Sequence, residues 1–207
     1  MTTHIVKDGE HLPGISERYG FRNHMTVWDR PENAGLREQG RLPEILLPGD
    51  EIFIPEQTRE TVVGSTGQFH AIVLRSERLE LRLRVRDLGA QPIADAECRL
   101  SVGVEAAQNL TTDADGRVNQ PIARSTSRAV LTLANDTFDV AVGALDPNDT
   151  PTGWRARLVN LGYLESDESD PRELQAAVEE FQCDVRLPLT GKMDDLTRAK
   201  LLLEHGC

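Results

Sequence analysis

Residues 174–191 read LQAAVEEFQCDVRLPLTG, and this stretch decides the fold of the last quarter of the chain. Its apolar side chains recur at i, i+3, i+4 and i+7, as on one face of a helix: Leu174, Ala177, Val178 and Phe181. Residues 170–173 (DPRE) supply an N-cap aspartate, a proline in the first turn and a glutamate at the third position. The stretch therefore predicts a capped amphipathic helix, followed by a loop over residues 187–193.

Two further helices are predicted on either side of this one. Residues 153–163 (GWRARLVNLGY) place Trp154, Leu158 and Leu161 on one face, and Gly162 is a typical helix stop. After the loop, Asp194 or Asp195 is expected to cap a last helix that carries Leu196, Ala199 and Leu203. Adjacent aspartates on a helix point apart, so this pair is interpreted as a cap and not as a catalytic dyad.

This segment resembles the small three-helix peptidoglycan-binding domain, written LxxLGY…AVxxFQxxxxLxxxGxxxxxTxxxL. The matching residues are Leu158, Leu161, Gly162, Tyr163, Ala177, Val178, Phe181, Gln182, Leu187, Gly191, Thr197 and Leu201. Thr190-Gly191 replaces the family's Asp-Gly turn. The resemblance implies a small three-helix bundle over residues 153–207 that binds peptidoglycan.

The first 57 residues predict a strand–helix–helix–strand order. A short strand over residues 4–6 ends at the turn Asp8-Gly9, and a helix with apolar residues Leu12, Ile15 and Tyr19 ends at Gly20. Residues 47–55 (LPGDEIFIP) predict a turn and a closing strand.

This arrangement resembles the LysM domain, whose pattern runs xVxxGDTLxxIAxxYG…LxPGxxLxIP. The matching residues are Val6, Gly9, Leu12, Ile15, Tyr19, Gly20, Pro48, Gly49, Ile52, Ile54 and Pro55. Two features depart from the pattern. Glu10-His11 stands where the family has Asp followed by Thr or Ser, which removes the helix-capping hydroxyl, and the middle segment at residues 28–40 is longer.

The LysM resemblance implies a groove for an N-acetylated glycan, bound mostly by backbone amides. One lip of this groove is formed by Gly9, Glu10, His11 and Leu12. The other lip is formed by Ile45, Leu46, Leu47 and Pro48. Peptidoglycan, or a related N-acetylated glycan, is therefore the expected partner of both ends of the chain.

The middle of the chain predicts an antiparallel β-sandwich. Residues 79–86 (LELRLRVR) alternate strictly, with leucines and a valine facing inward. The outward residues Arg82, Arg84 and Arg86 either contact an acidic partner or form a solvated face with Glu80 and neighbouring acids as cross-strand partners.

The run LxLRVxDxxGxPIxxAxxxL…TTDxDGxV resembles transthyretin-like and carboxypeptidase-regulatory-like modules. In its second part, Asp113-x-Asp115-Gly116 lacks the later acidic ligands of a calcium loop and is interpreted as a tight turn.

The chain is thus predicted to be a multidomain α+β protein. The boundaries are a LysM-like domain at 1–57, a linker at 58–67, a β-sandwich at 68–145, a linker at 146–152 and a helical domain at 153–207. Three widely spaced cysteines, Cys98, Cys183 and Cys207, predict no intramolecular disulfide.

Composition excludes several classes of function. A formal net charge of −11 argues against nucleic acid and anionic lipid as ligands, and no apolar run is long enough for membrane insertion. The sequence contains no metal-site spacing and no cofactor or catalytic motif. An enzyme would need a catalytic constellation in the middle segment, where His70 and Cys98 are the lone histidine and cysteine. No enzyme activity and no cofactor are therefore expected.

The sequence favours a non-enzymatic bacterial binding protein of modular build. The first ten residues have neither a basic n-region nor an apolar h-region, which predicts synthesis in the bacterial cytoplasm without a signal peptide. An alternative is therefore an adaptor or cargo-associated component of a contractile, type VI-like secretion machine, because the module combination resembles accessory proteins of such systems. Its partner would be a secretion spike or an effector, and a leaderless route would deliver the chain to the periplasm or outside.

Overall fold

The computed structural model describes residues 2–58, 63–71, 78–87 and 89–206. Residues 59–62 of the predicted linker, 72–77 of the predicted sandwich, and Cys207 lie outside the described residues. Helices and antiparallel sheets are both present, which confirms the α+β prediction. The chain divides into two compact units, Met1–Ala144 and Leu145–Cys207.

The first unit begins with what we call the N-terminal module, residues 2–57. Its elements are β1 (Thr2–Ile5), α1 (Leu12–Arg18), α2 (Met25–Trp28), a 3₁₀ helix (Pro31–Asn33), α3 (Ala34–Glu38) and β2 (Glu51–Ile54). The two strands pair antiparallel, with Thr2 opposite Ile54. Apolar side chains from helices and strands share one buried core: Val6, Leu12, Ile15, Val27, Trp28, Leu36, Leu46, Ile52 and Ile54.

The side chain of Asn33 connects the irregular middle of this module to β2. It is almost fully buried, and its Nδ2 donates to the Val27 carbonyl at 2.8 Å and to the Phe53 carbonyl at 3.0 Å. Its Oδ1 accepts from the Phe53 amide at 2.8 Å. The carboxamide therefore pairs with β2 much as a neighbouring strand would, and it fixes the long segment between the helices.

The rest of the first unit is what we call the β module, residues 78–144. Its strands are β3 (Leu79–Arg84), β4 (Glu97–Val102), β5 (Gln108–Thr111), β6 (Arg117–Ile122), β7 (Arg128–Leu133) and β8 (Asp136–Ala141). β3 and β6 form an antiparallel ribbon, and the other strands form a sheet in the order β5-β4-β7-β8. Leucines of β3 and buried residues of β4, β6 and β7 share one core, so the predicted inward face of residues 79–85 is confirmed.

The turn between β5 and β6 is made by Asp113. Its Oδ1 accepts from the amides of Asp115 at 2.9 Å and Arg117 at 2.8 Å, and Gly116 adopts a left-handed conformation with φ of 72°. These bonds confirm the interpretation of this aspartate as a turn residue.

The N-terminal and β modules belong to a single compact unit, although the sequence treats them as separate domains. Arg124, in the connection after β6, is 4% exposed and donates to the Phe21 carbonyl at 2.9 Å. The Gly143 backbone, after β8, packs against the ring of His11. Such contacts join residues more than one hundred positions apart, so local sequence patterns do not reveal them.

The second unit, which we call the C-terminal module, comprises residues 145–206. It contains α4 (Pro151–Asn160), α5 (Pro171–Asp184) and α6 (Asp195–His205). The predicted capping box of Asp170 and Glu173 is present, and Asp194 is the N-cap of α6. The helices bury a common core: Leu158, Leu164, Ala177, Val178, Phe181 and Leu201.

Residues 146–152, predicted as a linker, are attached to this module. The buried Arg157 guanidinium donates to the Asp146 carbonyl at 2.9 Å. A Cβ atom at Gly153 would lie 2.0 Å from the Pro147 carbonyl oxygen, so only glycine allows the segment to approach α4 this closely.

We predict that Asn33→Ala destabilises the first unit by about 2–4 kcal/mol, because it leaves buried backbone groups of Val27 and Phe53 without a partner. Native-state hydrogen exchange of the full chain measures the loss in β2. Asn119→Ala, at an exposed position of β6, is the matched control and should change stability by less than about 0.5 kcal/mol. Equal effects of the two variants would contradict this role for Asn33.

Candidate functional site

A loop of the C-terminal module is held by the side chain of Gln182, which is fully buried on α5. Its Oε1 accepts from the amides of Thr190 at 2.8 Å and Gly191 at 3.1 Å. Its Nε2 donates toward Thr190 Oγ1 at 2.9 Å, Lys192 O at 3.1 Å and Thr197 Oγ1 at 3.0 Å. One carboxamide thus fixes both the loop and the first turn of α6.

The same loop approaches α5 closely and leaves side chains exposed. A Cβ atom at Gly191 would lie 2.6 Å from Glu179 Oε1, and the glycine has a φ of 63°. Leu189 is 64% exposed, and Lys192 is exposed as well. The loop is therefore a surface feature of fixed shape, with an apolar and a cationic side chain available to a ligand.

Tyr163 connects the end of α4 to the end of α5. Its hydroxyl donates to Asp184 Oδ2 at 3.0 Å, and its ring packs edge-on against Phe181. Burial and the Asp184 carboxylate raise the pKa of Tyr163 to about 12. The hydroxyl therefore stays protonated at neutral pH and has a structural role.

The two adjacent aspartates at the start of α6 act separately. Asp194 Oδ1 accepts from the Thr197 amide at 2.8 Å and from its hydroxyl at 2.7 Å, and these bonds lower the pKa of Asp194. Asp195 pairs with Arg198. The interpretation of Asp194 as a cap is confirmed.

In the N-terminal module, the two predicted glycan-binding lips lie next to each other. The Leu12 amide donates to the Pro43 carbonyl at 2.8 Å, which joins the turn at Gly9 to the chain before Ile45. The side chains of His11, Leu12, Ile45 and Leu46 are buried, whereas Pro48 is exposed and Leu47 is half-buried.

Several backbone amides of these lips already have intramolecular acceptors. The Glu10 amide donates to the Lys7 carbonyl at 3.1 Å, and the Leu47 amide donates to Asp50 Oδ2 at 2.9 Å. The Ile45 amide donates to the Leu42 carbonyl at 3.0 Å. Glycan binding by backbone amides of these lips stays a prediction.

The Glu10 side chain forms hydrogen bonds within the N-terminal module. Its carboxylate accepts from His4 Nε2 at 2.7 Å, the Lys7 amide at 3.0 Å and Arg18 at 2.7 Å. Burial disfavours the charged form, but the hydrogen bonds from His4, Lys7 and Arg18 outweigh it and lower the pKa of Glu10 to about 2.

His11 replaces the capping hydroxyl that the sequence lacks. Its Nδ1 accepts from the Gly14 amide at 3.3 Å, which makes an imidazole the N-cap of α1. The side chain is buried, and burial lowers its pKa. The sequence places a histidine at the N-cap position, but histidine is not among the usual capping residues, so the cap was not predicted.

The β module presents arginines on the outer face of its β3–β6 ribbon. Arg82 and Arg84 are exposed as predicted, whereas Arg86 is half-buried and lies beyond the end of β3, in an isolated bridge with Pro92. The sequence missed Arg117, which is exposed and directly opposite Arg84 in the register. The alternation of exposed and buried residues that begins after the Asp113 turn could have indicated that Arg117 is exposed.

The described part of the chain contains no group of three or more potential metal ligands, and none of its helices is long and apolar enough to cross a membrane. Cys98 and Cys183 are free thiols, and burial raises the pKa of Cys98. His70 lies on the surface, with Nε2 at 2.8 Å from the Ser65 carbonyl. The absence of enzyme activity stays a prediction.

Comparison with known proteins finds a match for one segment of the chain. A family model described as a putative peptidoglycan binding domain matches residues 155–201. The matched range contains Gln182, the loop that it fixes and the first half of α6, and the match confirms the resemblance of this segment to that domain. No curated protein and no solved structure matches the chain.

We predict that Gln182→Ala destabilises the C-terminal module by about 2–4 kcal/mol, since the buried Thr197 hydroxyl and several part-buried groups of the loop lose a partner. Native-state hydrogen exchange of α5 and α6 measures the effect. Gln175→Ala is the matched control, because Gln175 is exposed on the same helix and bonds to the Glu179 side chain at 2.8 Å. That variant should cost less than about 0.5 kcal/mol, and a similar loss in both would contradict the role given to Gln182.

Proposed function

We propose that this chain is a binding protein without catalytic activity, and that it binds peptidoglycan through its C-terminal module. The observation that carries the proposal is the family match over residues 155–201. The loop fixed by Gln182 lies inside the matched range, and its shape is held by hydrogen bonds to that buried side chain. A preorganised loop lowers the entropic cost of binding.

Charge supports this loop as the contact surface. The C-terminal module is acidic, and most of its described cations are occupied: Arg155 donates to a backbone carbonyl, Arg198 pairs with Asp195, and Lys200 pairs with Glu204. Arg186 and Lys192 flank the loop, and both are exposed. Peptidoglycan offers neutral N-acetylated sugars together with peptide carboxylates, and the two flanking cations fit the carboxylates.

We predict that Lys192→Glu weakens binding of the full chain to purified peptidoglycan sacculi by roughly threefold to tenfold, the effect of one lost polar or ionic contact. Co-sedimentation at several protein concentrations gives the apparent Kd. Lys200→Glu is the control with the same charge change on α6, and it should bind as the unchanged protein does.

A further variant separates the two ends of the chain. Pro48→Glu places a charge on the exposed part of the N-terminal lips and should leave sacculus binding unchanged. If Pro48→Glu abolishes binding and Lys192→Glu does not, the N-terminal module is the wall-binding element and the proposal for the C-terminal loop is wrong. Absence of saturable binding by the unchanged chain would remove the proposal altogether.

A second proposed role is that of an adaptor that recruits an acidic protein segment, and it is favoured by the arginines of the β3–β6 ribbon. Like charges directly opposite each other in a sheet are unfavourable, yet Arg84 lies opposite Arg117. Asp115 partly offsets this, with a carboxylate 3.1 Å from Arg117 and a carbonyl 3.1 Å from Arg84 Nε. The resemblance of the module combination to secretion accessory proteins supports the same role.

We predict that Arg84→Thr weakens binding of a labelled extended peptide of alternating Glu and Thr, measured by fluorescence anisotropy at low salt. The same change should leave stability unchanged or raise it by up to about 0.5 kcal/mol, because a like-charge pair is removed. Arg99→Thr, an exposed arginine on β4, is the control. If both variants reduce binding equally, the attraction is unspecific and the adaptor surface is not on this ribbon.

A further inference from the structure

The contact between the N-terminal module and the β module is centred on the first turn of α1. A Cβ atom at Gly143 would lie 2.4 Å from His11 Cδ2 and 3.3 Å from the Gly9 carbonyl oxygen. In the same turn, a Cβ atom at Gly14 would lie 3.1 Å from the Arg124 carbonyl oxygen. Two glycines, one on each module, therefore let the backbones approach more closely than other residues allow.

Arg124 contributes the polar part of the same contact. Its guanidinium is almost fully buried, donates to the Phe21 carbonyl at 2.9 Å and lies 3.8 Å from Glu17 Oε1. Glu17 lies in the last turn of α1, and Phe21 follows the helix. The guanidinium therefore contacts the end of α1 opposite to His11. The two contacts together hold α1 along its length.

The cap formed by His11 requires a neutral imidazole. Nδ1 accepts the Gly14 amide hydrogen, so that nitrogen has no proton in the docked state. A proton added at Nδ1 would face the Gly14 N–H and abolish the hydrogen bond. It would also place a charge in an interface where the ring is 6% exposed.

Charged groups face His11 from each neighbouring element. Glu10 precedes it in the same turn, and Glu44 follows Pro43, whose carbonyl accepts from Leu12; both carboxylates favour the charged imidazole. His24, before α2, opposes it. From the β module, the Arg124 guanidinium adds positive charge beside α1. Burial is the largest influence, and it lowers the pKa of His11, which favours the neutral imidazole.

We propose that this contact is an acid-sensitive latch, in which neutral His11 docks the N-terminal module on the β module and its protonation releases the module. The free histidine titrates near 6.5 and the docked one at lower pH. Docking therefore has its full strength above about pH 6.5 and is lost progressively as the pH falls below that value. Release would expose the His11 side chain and the face of α1 that packs against Gly143 and Arg124.

Hydrogen exchange of the full chain tests the latch at about pH 7.5 and about pH 5, with rates corrected for their intrinsic pH dependence. In peptides that cover residues 9–16 and 141–144, we expect protection to fall severalfold in acid, because protonation of His11 removes its hydrogen bond to the Gly14 amide and places a charge in the contact. Peptides from α5 are the internal reference. Constant protection of the two latch peptides would overturn the proposal.

Three variants assign the effect. His11→Asn retains a good cap without titrating, so protection should become independent of pH. His24→Asn removes the neighbouring histidine and should preserve the pH dependence. Arg124→Ala loosens docking directly and should lower protection of residues 141–144 at both pH values. If His11→Asn shows the same acid response as the unchanged chain, another group is responsible and His11 is not the latch.

Discussion

The carboxamide of Gln182 is the interaction on which the C-terminal module depends. A segment without regular structure has no ladder of backbone hydrogen bonds, so its amides and carbonyls need other partners if they are to be buried. Gln182 offers both a donor and an acceptor on one side chain, and it reaches three consecutive residues of the loop as well as α6. A carboxylate or an ammonium in its place would satisfy only one kind of group.

The N-terminal module solves the same problem with Asn33. Its shorter carboxamide bonds to both backbone groups of Phe53 and to the Val27 carbonyl, and so secures a middle segment built from short helical turns. In the N-terminal and C-terminal modules, therefore, a single buried amide side chain fixes the shape of the irregular part of the chain. Regular elements supply the apolar core, and the carboxamides determine where the connecting surfaces lie.

The spacing of apolar residues predicted most helices and strands, because it follows the face that each element buries. The capping box at Asp170 and the alternation of β3 are local patterns with a direct physical meaning. The contact of His11 with Gly143 has no local signature, since it depends on where two distant loops meet. For the candidate sites, alternation within one strand predicted that Arg84 is exposed. It did not predict that Arg117 lies opposite Arg84, because the register between two strands is a tertiary property.

The hydrogen bond from Arg157 to the Asp146 carbonyl makes residues before the matched range part of the C-terminal folding unit. If a recombination event moved only residues 155–201 into another protein, this guanidinium would stay buried in the bundle and lose its acceptor on Asp146. Loss of a hydrogen bond to a buried charged group costs roughly 1.5–3 kcal/mol, a large part of the stability of a small bundle. Successful breakpoints are therefore expected before Asp146, so the segment that can be transferred as a folded unit is longer than the range that the family model matches.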